Sequence, residues 1–153
     1  MYPKLLVLHS LFRWLVLVFI IISIYRAATG FIQNKRFSKT DNAFRHWTAT
    51  VAHIQLIIGI SLYTQSPIVE YFWTDTVARQ NLDLTFYGVV HLVLMLTAIT
   101  LLTIGSALTK RKATDKEKFR VMLTWFSISL LIILIAIPWI FSPLSSRPYY
   151  RTF

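Results

Sequence analysis

Long apolar runs separated by short polar stretches dominate the chain. Four of them, at 4–29, 44–65, 84–109 and 119–141, match or exceed the roughly 20 helical residues needed to cross a bilayer. The connections are short, so successive helices are expected to be antiparallel neighbours. The pattern predicts an all-α, integral-membrane, up-down-up-down four-helix bundle forming one domain, 1–153. In such a bundle the first and third helices share one diagonal and the second and fourth the other. The first run is too long for a removable signal peptide and lacks a small-residue cleavage site, so it reads as a retained helix. Pro3 suits a first helical position. Pro138 is expected to bend the last turn of the fourth helix and Pro143 to end it.

The polar stretches orient the bundle. Lys35, Arg36, Lys39 and Arg45 lie between the first two runs, and Lys110, Arg111, Lys112, Lys116, Lys118 and Arg120 between the last two. The stretch 66–83 carries Arg79 against three acids. The positive-inside rule places both basic loops in the cytoplasm and both termini outside. Within 66–83, Ile68, Val69, Tyr71, Phe72, Trp73 and Val77 read either as a short amphipathic helix lying at the interface or as a plain aromatic belt.

Composition agrees. The 153 residues are 56% hydrophobic and 14% charged, against about 25% charged in soluble domains. The net charge of +10 is therefore read as basic membrane loops rather than a nucleic-acid surface, and no nucleic-acid motif, phosphate loop or nucleophile elbow is present. The absence of cysteine excludes disulfides, thiolate metal sites and covalently attached haem. The six acids lie outside the apolar runs, which argues against carboxylate-bridged metals and paired-carboxylate hydrolysis.

Ionisable residues inside the runs are functional candidates. They are His9 and Arg13 in the first, His46 and His53 in the second, and His91 in the third. At about 100° per residue, His9, Arg13, Val16, Ile20, Ser23 and Ala27 share one stripe. His46, Ala49, Thr50, His53, Ile57, Ile60 and Thr64 share another, and Gly88, His91, Met95, Ala98, Leu102, Gly105 and Thr109 a third. All three stripes carry small residues and are expected to face inward, with Gly88, Ala98 and Gly105 leaving room for something flat. His9 and His91 lie at matching depth, roughly 10 Å below the outer surface, on diagonal helices. A haem held by two histidines needs that arrangement. His53 lies deeper, at roughly 17 Å, and is the alternative partner of His91. Arg13, one turn below His9, needs an anion that no acid in the runs supplies; a haem propionate, a lipid phosphate or surface water would serve. Hydrogen bonding between helices is the competing account of the histidines, and a His₃ zinc or copper site a weaker third. His46 reads as interfacial and Met95 as packing.

The stretches YPKLLVLHSLFRWLVL (2–17), RHWTATVAHIQLIIGI (45–60) and IPWIFSPLSSRPYYR (137–151) resemble small four-helix bacterial membrane proteins usually labelled cytochrome b. The resemblance covers the whole chain and assigns no ligands. It implies a bacterial inner-membrane location, non-covalent haem b and electron transfer between a quinol and a partner protein. The alternative is a non-enzymatic subunit or assembly factor of a larger complex. A transporter or channel is disfavoured by the lack of acids, helix breaks and repeats.

Overall fold

The computed structural model describes residues 2–139. These residues contain five helices and no strand. Helix α1 is Tyr2–Ile32, α2 is Lys39–Thr64 and the short α3 is Pro67–Thr74. A single tight turn, Ala78–Gln80, leads to α4, Leu82–Arg111, and α5 is Asp115–Ala136. Three of them, α1, α4 and α5, are long and apolar enough to cross a membrane. Helix α2 has the length, but it begins in the polar segment KTDNAFRH.

The starts of α2 and α5 are encoded locally. Ser38 caps α2 by accepting from the Asp41 amide, while the Asp41 carboxylate accepts from the Ser38 amide. Thr114 and Glu117 repeat the motif at α5. Such reciprocal caps satisfy amides that have no helical acceptor. Helix α5 ends at Ala136, not in a bent turn running to residue 141: Ile137 is extended (φ −75°, ψ 127°), as a residue before proline is driven to be. Pro143 and the tail lie outside the described residues.

Helix α1 packs on α2 and α5, and α4 packs on the same two. The core between them includes Val16, Ile20, Ala52, Ala98, Leu102, Met122 and Phe126. Where lipid replaces water, burying aliphatics gains little, and close packing and hydrogen bonds between helices matter more. The Ser23 and Thr48 hydroxyls meet at 2.7 Å, and Thr48 also donates to the Phe19 carbonyl. Arg26 pairs with the buried Asp41 at 2.7 Å. Arg45 is no loop cation: it is buried, donating to the Ser106 carbonyl and hydroxyl and to the Asn42 side chain.

The small residues of α4 do make room for flat groups, but the chain supplies them. A side chain at Gly88 would run into the Phe72 ring of α3, and one at Gly105 into Trp125 of α5. Helix α3 is accordingly amphipathic, with Val69 and Phe72 buried and Tyr71 and Trp73 exposed.

Candidate functional site

One end of the four long helices forms a partly open cavity of about 200 Å³, lined among others by His9, Arg13, Gln55, Gly59, Tyr63, His91 and Met95. Two stripes bring their residues there as expected. On α1 the buried positions Val16, Ile20, Ser23 and Ala27 continue the line of His9 and Arg13. On α4, Ala98, Leu102, Gly105 and Thr109 continue that of His91 and Met95.

His9 and His91 face each other with ring centroids 6.4 Å apart and planes at 70°. His91 sits just past a wide turn in α4, where its amide donates to the Phe86 carbonyl five residues back instead of four. Such turns insert one extra residue into a helix and are frequent at functional sites. The His91 Nδ1 donates to the Ala136 carbonyl at 2.8 Å. A carbonyl can only accept, so in the neutral ring the lone pair is on Nε2. The His9 backbone carbonyl accepts from Gln55 Nε2 at 2.9 Å. His9 Nδ1 and Gln55 Oε1 are both buried with no hydrogen-bond partner among the described residues. The His9 ring lies against Gly59, where a Cβ would stand 3.1 Å from its Cε1. Arg13 stacks its guanidinium 5.3 Å from the Trp14 ring. Tyr63 donates to the Gly88 carbonyl at 2.7 Å and accepts from Trp73, tying the cavity to α3.

His53 is not in this cavity. It is exposed on the outer side of α2 and bonded through Nε2 to Thr103 Oγ1 at 2.9 Å. The Thr103 hydroxyl proton is committed to the Ile99 carbonyl, so His53 is the donor. The stripe through His46, His53 and Thr64 is the outward face of α2, because the inward face carries the residues with partners to meet: Asp41, Arg45, Thr48, Gln55 and Leu62. His53 stands about 140° round the helix from Thr48. With it outside, the three histidines do not converge, and among the described residues no group of three or more His, Asp or Glu could hold a metal ion. His46 is exposed and lies edge-on to Trp47. Gln55 and Tyr63 were not singled out by the sequence, although a lone amide in the apolar run 51–62 was a signal for Gln55.

No protein-family model, curated protein or solved structure matches this chain.

Proposed function

We propose that the chain is a four-helix, up-down-up-down membrane bundle with both termini outside a bacterial inner membrane, and that it transfers electrons through a b-type haem held by His9 and His91. The direction of the helices is supported by their pairings. Arg26 with Asp41 and His9 with Gln55 run α1 against α2, Arg45 with Ser106 and Tyr63 with Gly88 run α2 against α4, and Gly105 with Trp125 and His91 with Ala136 run α4 against α5. A fourth crossing by α2 is supported by the outward Ile54, Ile57 and Ile60, which continue the exposed aliphatic surface of the other three. Its lower hydropathy comes from its polar start and from polar residues turned inward.

The facing pair His9 and His91 carries the functional reading. His9 and His91 are the two side chains that would hold a haem iron between them through their ring nitrogens. Their facing rings, with centroids 6.4 Å apart, fit that donor set. Donation of His91 Nδ1 to the Ala136 carbonyl makes Nε2 the nitrogen that would bind iron, and such partners raise ligand basicity. Arg13 would neutralise a propionate, and the aliphatic wall would keep water away. A bound haem would supply a reversible one-electron change at iron.

A quinone is the second reading, favoured by the cavity volume of about 200 Å³, which is below the 300–1,000 Å³ usual for drug-sized ligands. The unpartnered Gln55 Oε1 could accept from a quinol hydroxyl. Purification in detergent from haem-replete cells, followed by pyridine extraction, reduced-minus-oxidised spectra and quinone extraction, decides. Haem with a low-spin spectrum supports the cytochrome. Quinone without haem selects the second reading. Neither leaves the histidines as hydrogen-bonding groups of a non-enzymatic subunit.

A further inference from the structure

The end of the molecule away from His9 and His91 holds a pocket of different chemistry, of about 290 Å³. Three lysines line it from three helices: Lys39 from the start of α2, Lys110 from the end of α4 and Lys118 from the start of α5. Lys39 and Lys110 have no acid partner among the described residues. The acid nearest Lys39 in sequence, Asp41, is committed to Arg26 and Ser38. Lys118 lies 3.4 Å from the partly exposed Asp115 and 5.7 Å from the Phe37 ring, which also lines the pocket. Asn42, another wall residue, accepts twice from Arg45 through Oδ1, so its remaining polar group is the Nδ2 donor. A concave site rich in donors and net positive selects a phosphate group.

Depth selects the source of that phosphate. The exposed aliphatic Ile104 lies six residues before Lys110 on α4, about 9 Å along the axis, and the exposed Ile32 ends α1. The lysines thus stand one step beyond an aliphatic flank, at headgroup level. We infer that the Lys39–Lys110–Lys118 pocket binds the phosphate of an anionic phospholipid. The inference rests on α1 and α4 crossing the membrane and is independent of any haem or quinone.

The test measures thermal unfolding of the full-length protein in a neutral detergent with added phosphatidylglycerol, phosphatidylcholine or inorganic phosphate. Phosphatidylglycerol should raise Tm, and the other two should not. The triple variant K39Q/K110Q/K118Q should lose the rise, and each single variant should need about fivefold more phosphatidylglycerol to reach half of it. The variant K35Q/R36Q/K112Q removes the same charge outside the pocket and should keep the response. An equal loss in both triple variants means diffuse attraction and overturns the site. A rise with inorganic phosphate alone overturns the lipid assignment. If a variant is too unstable for a melt, phosphatidylglycerol co-purifying with it is counted by mass spectrometry, and retention by K39Q/K110Q/K118Q at the wild-type ratio overturns the site equally.

Discussion

His91 Nδ1 and the Ala136 carbonyl oxygen are joined at 2.8 Å between α4 and α5, so the end of one helix fixes the tautomer of a histidine on the other. Pro138 is the cause. The last carbonyls of a helix lack amide partners, and a proline two residues past the end cannot supply one. Its missing N–H leaves the Leu134 carbonyl to the Trp139 indole, at 2.8 Å, and the stop it imposes at Ile137 leaves the Ala136 carbonyl open to His91.

Pro138→Ala should therefore act on His91 without touching it. A continued helix would give the Leu134 carbonyl a backbone donor and release Trp139, and the following turn would compete for Ala136. The expected outcome is altered tryptophan emission together with a changed potential of any bound redox group. An unchanged potential in a protein whose emission has shifted would show that the Ala136 contact does not tune the site.

Single alanine changes at the three histidines should separate by position. His9→Ala and His91→Ala should each abolish a low-spin haem spectrum. His53→Ala should leave it intact and cost only the Thr103 hydrogen bond, about 0.6 kcal/mol. A spectrum lost in His53→Ala but retained in His9→Ala would transfer the ligand role to His53.

Thr48→Val removes the buried hydroxyl that meets Ser23 and should destabilise the protein by about 1 kcal/mol. Thr50→Val removes only a bond to the His46 carbonyl within the same helix, and should change stability by less than about 0.5 kcal/mol. Unfolding by a denaturing detergent, followed by circular dichroism, compares the two.

Glycine substitutions should divide between stability and binding. Gly105→Val drives into Trp125 close to its backbone, where little can move, and should cost about 1–3 kcal/mol in thermal unfolding. Gly59→Ala meets only the edge of the His9 ring, so its expected effect is on cofactor retention with a near-normal Tm.

Reporter fusions near Lys39 and Lys112 should report a cytoplasmic location, and a fusion at Phe153 an outer one. The basis is ten basic residues in the two loops between runs against one in the stretch 66–83. A cytoplasmic C-terminus would overturn the proposed orientation.

Much of this was legible in the apolar pattern, because on α1 and α4 the small and weakly polar residues mark the packed side and carry His9, Arg13 and His91 with them. The same rule failed on α2. There the histidines stood out as the expensive residues, yet the interior was claimed by Asp41, Arg45, Thr48 and Gln55, whose partners on other helices no one-dimensional pattern displays. The wide turn before His91 was equally hidden, since one extra residue in a helical turn leaves no compositional mark. The end of α5 was misplaced by a few residues because Pro138 was weighed as a bend, although its constraint on Ile137 already stops the helix.

The polar face of α2 also bears on how the protein enters a membrane during synthesis. Thr48 and Gln55 would each meet lipid unsatisfied if this helix left the translocation channel alone, at a cost that its apolar half offsets poorly. Their partners Ser23 and the His9 carbonyl are both on α1, which emerges from the ribosome first and is joined to α2 by a short loop. If α2 crosses the membrane as proposed, the two helices would partition as a hairpin, with α1 carrying its more polar neighbour into the bilayer. Arg45 waits for Ser106, sixty-one residues further on, so the hairpin becomes fully satisfied only when α4 arrives.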